Sequence, residues 1–240
     1  MGGLGSTYLG GRLPGFFGTV ASLSGFVDPQ YFADITDPGM GLTALARFHG
    51  DNDPDPVDGP PNGFYAYGHN PAQLTMNLEE TRVFLSSGTG IPSETGLTAG
   101  VGVLPNIASG SVLEAPIIYP MNQLYHSALA AAGVNVTYQT HPGGHDIPDF
   151  MAEEKAMVSW GLFKTVPTNP TSWSNDTVAT RGQIWDVGYT FAKPPRAVVS
   201  FRQAGSSLSI STAGSPVSIT SGSCVIHTPT PATINLATCA

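Results

Sequence analysis

The chain has 240 residues, 41% of them hydrophobic and 11% charged, which is enough apolar material for a sizeable core and too much for a disordered polypeptide. Its formal net charge of -8 comes from 17 acidic against 9 basic side chains, and the basic ones are scattered singly, which excludes the phosphate-neutralising stripe of a nucleic-acid binder. No stretch reaches the ~18 to 20 consecutive apolar residues of a membrane-spanning helix.

The first fifteen residues are rich in glycine, and Ser6 to Leu13 are expected to form a helix. Phe16-Phe17-Gly18-Thr19-Val20-Ala21-Ser22-Leu23-Ser24-Gly25 follows, a short apolar run ended by Ser-Gly that reads as a buried strand. No basic stretch followed by an apolar one precedes it, so Met1 is expected to begin somewhere other than at an export signal. From Phe26 to Asn70 the pattern is irregular, with Asp51, Asp53, Asp55 and Asp58 among prolines, and reads as a long surface excursion. The alternating acids there suggest oxygen ligands for calcium, but the run lacks the glycine and terminal glutamate of an EF-hand loop. A solvated loop is the reading adopted.

Asn70-Pro71 opens an expected helix through Asn77, and Thr81-Arg82-Val83-Phe84-Leu85-Ser86-Ser87 a second strand closed by Gly88-Thr89-Gly90. Leu124, Ala128, Leu129 and Ala132 lie at helical spacing, Gly133 stops that helix, and Val134 to Tyr138 is a third strand. Met151 to Phe163 supplies a last amphipathic helix. Alternation of helices and strands implies a parallel sheet covered on both faces. After Pro167 the character changes to short alternating runs, Trp185 to Phe191, Ala197 to Phe201, Leu208 to Ser211 and Val217 to Ile219, which form a small all-β unit. The proline-containing linker Thr165 to Thr171 sets the boundary, giving an α/β part over residues 1–165 and a β-rich part over 166–240. Cys224 and Cys239 are the only cysteines. A bridge between them closes a short terminal loop and suits an oxidising compartment, and the two cysteines are too far apart in sequence to read as a zinc pair.

Chemistry concentrates on His145, in Thr140-His141-Pro142-Gly143-Gly144-His145-Asp146, a glycine-loosened loop after the third strand. Loops at the carboxyl ends of parallel strands are where α/β folds place catalytic groups; the plainer alternative is a histidine capping the next helix. Glu114 stands among apolar residues on the long loop after the second strand, and a carboxylate there can hold the imidazole Nδ1 proton. Glu94 and Asp146 are rival acids. Ser6, Ser22 and Ser24 read as buried or capping serines rather than nucleophiles.

Met1-Gly2-Gly3-Leu4-Gly5-Ser6 is similar to the tail of a Gly-x-Ser-Met-Gly-Gly nucleophile elbow whose serine immediately precedes Met1. With Leu23-Ser24-Gly25, His69-Asn70-Pro71, Arg82 through Gly90, Leu113-Glu114 and Gly144-His145, residues 1 to about 163 resemble the secreted esterase D and mycolyltransferase-like (antigen 85-like) family of α/β-hydrolases. The resemblance implies a partial α/β-hydrolase followed by a small all-β unit of the kind that actinobacterial members carry. It implies a carboxylester hydrolase or acyltransferase acting on acyl glycerols, acylated sugars or polyesters, extracellular, with His145 as base, Glu114 as acid, the Met1 N–H in the oxyanion hole, and no cofactor or metal. Two departures stand out: no Gly-x-Ser-x-Gly occurs in the chain, and the family's Gly-Thr-His-Ser-Trp around the base is here Gly143-Gly144-His145-Asp146-Ile147-Pro148. The alternative is a truncated or pseudo-enzyme fragment that binds through its β unit. A core sheet of three strands is also expected to leave an apolar edge open to self-association.

Overall fold

In the computed structural model, which describes residues 2–31, 63–91, 113–165 and 169–239, the first helix is built on glycine. Helix α1 (Gly2–Arg12) begins four residues earlier than its apolar spacing suggests and lies against strand β1 (Thr19–Leu23). A Cβ on Gly3 would come within 2.4 Å of the Gly25 Cα and the Ser22 Oγ, and one on Gly10 within 2.2 Å of the Val20 Cγ2. Glycine costs a helix about 0.5–1 kcal/mol per residue. Here that cost is offset by an approach of helix to strand that no side chain permits.

The loop after β1 departs from the expected surface excursion at its start, where Phe26, Val27 and Gln30 are buried. The acidic run lies outside the described residues. The helix expected from Asn70 to Asn77 is a turn followed by a single 3-10 turn, Thr75–Leu78, with a short helix α2 (Phe64–Tyr67) ahead of it. The buried Asn70 side chain explains the difference: its Oδ1 accepts from the Ala72 N–H at 2.9 Å, and its Nδ2 donates to Asp28 Oδ1 and Gln30 Oε1 at 2.6 and 2.8 Å. Asn bonding to the local backbone competes with helical pairing.

Strand β2 (Arg82–Gly88) is the centre of a parallel sheet of order β1-β2-β3, with β3 spanning Val136–His141. Its run from Val83 to Gly88 is buried throughout, whereas β1 alternates and β3 is largely open, as expected for one strand covered on both faces and two at the edges. Between β2 and β3, a π-helical turn at Glu114–Ile118 runs into helix α3 (Tyr119–Ala131). Met121, Asn122, Tyr125 and Leu129 form its buried face, and the Asn122 amide donates to Gly25 O and Ile118 O at 2.8 Å each. Helix α4 (Ile147–Trp160) is capped by Asp146, whose carboxylate accepts the Asp149 N–H at 3.1 Å, and stops at the left-handed Gly161. Its C-terminal end is pinned by Trp160, whose indole donates to Thr137 Oγ1 at 3.0 Å and carries the Arg82 guanidinium 3.9 Å from its ring centre.

The remaining chain forms two four-stranded antiparallel sheets, of order β10-β9-β6-β5 and β11-β8-β7-β4. The strands are β4 (Ser172–Thr177), β5 (Arg181–Ile184), β6 (Val187–Phe191), β7 (Val199–Ala204), β8 (Ser207–Ile210), β9 (Val217–Ser221), β10 (Cys224–Thr228) and β11 (Ala232–Asn235). One apolar core lies between them, drawing Trp173, Val199, Phe201 and Leu208 from one sheet and Ile184, Tyr189, Phe191 and Ile219 from the other. The alternating burial of β4, β6 and β8 follows directly from that sandwich. Cys224 is disulfide-bonded. Specific contacts tie these sheets to the α/β part: Asn77 donates to Asp176 O at 2.9 Å and accepts the Asp176 N–H at 2.7 Å, and Arg12 donates to Arg181 O at 3.0 Å.

The glycine contact between α1 and β1 yields a paired prediction. Gly10→Ala overpacks against Val20 and is expected to lower stability by about 1–3 kcal/mol. Gly5→Ala, whose Cβ meets nothing within 4 Å, is expected to raise it by about 0.5–1 kcal/mol through helix propensity alone. Urea midpoints of the two variants against the parent chain measure both, and equal shifts of the same sign would remove the close-approach argument.

Candidate active site

Because the three strands are parallel, their carboxyl ends lie at one side of the sheet. Ser24 follows β1, Gly88 closes β2, and His141 closes β3. Two backbone bonds stitch the loops beyond them: the Gly90 N–H donates to Gly143 O at 2.8 Å and the Gly143 N–H to Ile91 O at 2.6 Å. Gly143, with φ +128, can hold this path because it has no Cβ; one there would meet the Asp149 carboxylate at 2.3 Å. That carboxylate accepts the Gly144 N–H at 2.6 Å, fixing the residue before His145. Burial raises the proton affinity of Asp149, and the Gly144 bond opposes this.

The stitched loops bring Glu114 and His145 together. Glu114 is fully buried, its Oε2 lies 3.1 Å from His145 Nδ1, and its Oε1 accepts the Gly88 N–H at 3.0 Å. The His145 ring stands edge-on to Phe150 at 4.8 Å, and its side chain is 31% exposed. It lines a cavity of about 410 Å³ together with Gly2, Gly3, Ala21, Leu23 and Met157. The amino end of α1 and the carboxyl end of β1 thus face the imidazole across one space. With Nδ1 engaged by a carboxylate, Nε2 is the nitrogen left to exchange a proton.

Of the rival acids, Asp146 serves as the cap of α4, and Glu94 lies outside the described residues, as does Met1. The capping alternative for His145 is likewise filled by Asp146. Ser6 lines the cavity, but its hydroxyl donates to Ala21 O at 2.6 Å. Ser22 is buried with no partner for its hydroxyl among the described residues.

Three residues that sequence reasoning gave no part in this site prove central to it. Ser24 Oγ lies 2.8 Å from Glu114 Oε1 and 3.0 Å from the Oε1 of a second buried carboxylate, Glu153 of α4. That oxygen is also 3.0 Å from His141 Nε2. A continuous chain of polar contacts therefore runs His145–Glu114–Ser24–Glu153–His141. The bond to Glu153 raises the His141 pKa to about 9, against the opposing effect of burial and with help from Pro142 O and Asp149. His141 is a cation at neutral pH. Ser24 adopts φ 43, a left-handed conformation uncommon outside glycine and a strain that recurs at functional sites. The sequence signal for Ser24 was its place at a strand end. Glu153 carried none, since it sits beside Glu154 in an ordinary polar helix stretch.

Among the described residues no cluster of His, Cys, Asp and Glu forms a metal-ligating group, and no helix is long and apolar enough to cross a membrane. No family model matches the chain, and no curated protein does. Among solved structures it is similar to that of MPT51 from Mycobacterium tuberculosis, with 19% sequence identity and a TM-score of 0.49 over 69% of this chain and 57% of that one. The chain thus matches little more than half the length of that structure.

The His141 shift sets a pH dependence of stability. A histidine whose folded pKa is raised from 6.5 to about 9 stabilises the fold fully below the unfolded value, and the contribution is lost as pH rises through the folded one. Thermal midpoints are expected to fall between pH 6.5 and pH 9, and Glu153→Gln to flatten that slope. A parent slope matched by the variant would show that the pair is not the source.

Proposed function

We propose that these residues carry the base and the acid of a serine-type carboxylester hydrolase or acyltransferase of the α/β-hydrolase class. The observation that carries this reading is the buried Glu114 carboxylate 3.1 Å from His145 Nδ1, on a histidine that shares its cavity with the amino end of α1. In that arrangement Glu114 fixes the tautomer and stabilises the imidazolium, while His145 Nε2 takes a proton from a hydroxyl nucleophile and returns it to the leaving group. The elbow resemblance implies a nucleophile upstream of Met1, with the Met1 N–H as an oxyanion-hole donor. The hydroxyl of Ser6 is turned to a backbone carbonyl and that of Ser24 to the carboxylates, which supports a nucleophile other than these two.

The substrate class is an ester with an apolar acyl part, because Ala21, Leu23, Phe150 and Met157 line the cavity around His145. Residues 1–165 form the hydrolase part and 166–240 the appended β unit. Disulfide-bonded Cys224 supports an extracellular or envelope location. Strand β1 pairs only with β2 among the described residues, and Phe16 and Phe163 stand 70% and 84% exposed. These features support self-association of a second copy along that edge.

Hydrolysis of a short p-nitrophenyl ester tests the chemistry. In a chain extended upstream with a Gly-x-Ser elbow, His145→Ala is expected to lower kcat on the order of 10³-fold or more, and Glu114→Gln by less. Unchanged turnover in both variants would remove the assignment. The 240-residue chain itself is expected to show at most weak turnover and to run larger than a monomer in light scattering. A monodisperse monomer with robust activity, abolished by Ser6→Ala, would establish a nucleophile within the chain.

A further inference from the structure

We infer that Ser24, Glu153 and His141 form a positioning unit for the Glu114–His145 pair, in which His141 engages Glu153 and so leaves the single Ser24 hydroxyl proton for Glu114. The inference rests on the reading of His145 as base and Glu114 as its acid, and adds to it three residues that act through that pair.

Proton counting carries the argument. Ser24 Oγ stands within hydrogen-bond distance of two carboxylate oxygens, 2.8 Å from Glu114 and 3.0 Å from Glu153, yet a hydroxyl has one proton to give. Both carboxyl groups are essentially sealed from water, with Glu114 at 0% and Glu153 at 1% exposure. Two buried carboxylates joined through one hydroxyl compete for it, and whichever lacks a donor draws it. Glu114 Oε1 has the Gly88 N–H, at 3.0 Å. Glu153 Oε1 has only His141 Nε2 besides Ser24, and Glu153 Oε2 has no partner among the described residues. A buried carboxylate with an unpartnered oxygen is costly to desolvate. Its place beside Glu114 points to a role in setting that acid.

His141 decides the competition. As a cation it donates from Nε2 to Glu153 and from Nδ1 to Pro142 O at 2.8 Å; as a neutral ring it has one N–H and must abandon one of the two. The groups that face it are Glu153 and Asp149 of α4 and, through Ser24, Glu114. Tyr138 on the same strand is neutral over the working range, its hydroxyl pushed up to about 12 by burial against the opposing bond to Ser87. With His141 charged, the Ser24 proton fixes the plane of the Glu114 carboxylate jointly with the Gly88 N–H, and Oε2 is presented to His145. With His141 neutral, Glu153 claims the hydroxyl and Glu114 keeps one anchor.

The test uses the 240-residue chain with nitrogen-15-labelled histidine and reads the ring tautomers of His141 and His145 by long-range proton–nitrogen correlation from pH 6 to 10.5. The His145 Nδ1–H tautomer is expected to dominate below the His141 titration, near pH 9, and to give way to a mixture with the same midpoint. In Glu153→Gln the His141 midpoint is expected to return toward 6.5 and the His145 tautomer to lose its step near pH 9. In Ser24→Ala His141 is expected to titrate as in the parent while the His145 mixture appears at every pH. Glu114→Gln, which removes the partner itself, is expected to abolish the tautomer preference. If that variant leaves the preference intact, the base and acid assignment fails. If it abolishes the preference but His145 ignores the His141 titration, Glu153→Gln and Ser24→Ala alike, the pairing stands and the positioning unit is overturned. A merely structural role for His141 would change stability without linking the two midpoints.

Discussion

A carboxylate with no contact to water is the constraint around which the carboxyl end of the sheet is organised. Glu114 is buried completely, and an ionised carboxyl group in such a place survives only if donors surround it. Three different strand ends supply them: Gly88 from β2, Ser24 from β1 and His145 from the loop after β3. Gly88 must be glycine for this to occur. A Cβ there would sit 2.7 Å from Gly143 O and 3.2 Å from the Glu114 side chain, pushing apart the two loops that hold the acid and the base. The π-helical turn at Glu114–Ile118 belongs to the same solution. A wider turn at the head of α3 sets Glu114 inward while Leu113 and Ala115 remain exposed, and such turns recur at functional sites.

Glycine performs the same service at the opposite wall of the cavity. Gly3 and Gly25 nearly touch through Ser22, so the start of α1 and the end of β1 form one surface. The two walls share β1. The Glu114–His145 pair draws on β2, β3, α3 and α4 and on Ser24 after β1, and the amino end of α1 is set against the end of β1 through glycine contacts.

Much of this arrangement can be read from residue order, and the parts that cannot share a physical reason. The strand Arg82–Gly88 announces itself by its apolar run Val83-Phe84-Leu85 closed by small residues and glycine. The β unit does so because sandwich strands alternate. The juxtaposition of His145 and Glu114 is the one the resemblance implies, and both follow strands. The helix expected at Asn70 fails because one buried asparagine side chain reaches Asp28 and Gln30, 42 and 40 residues away, a tertiary contact that local propensity does not encode. Glu153 and His141 are missed for the same reason. The geometry that makes Glu153 special is the 129-residue separation from Ser24, and on its own helix it looks like any polar residue. His141 stands four residues before His145, with no partner visible in the sequence.

Two buried carboxylates, Glu114 and Glu153, stand between the part-exposed rings of His145 and His141 in one chain of polar contacts, and in the proposed reaction His145 gains its proton beside Glu114. His141 is held charged beforehand by its bond to Glu153. A second carboxylate beside the acid would otherwise oppose the first by drawing on its hydroxyl donor. Paired with the His141 cation below its titration near pH 9, it leaves the Ser24 proton to Glu114.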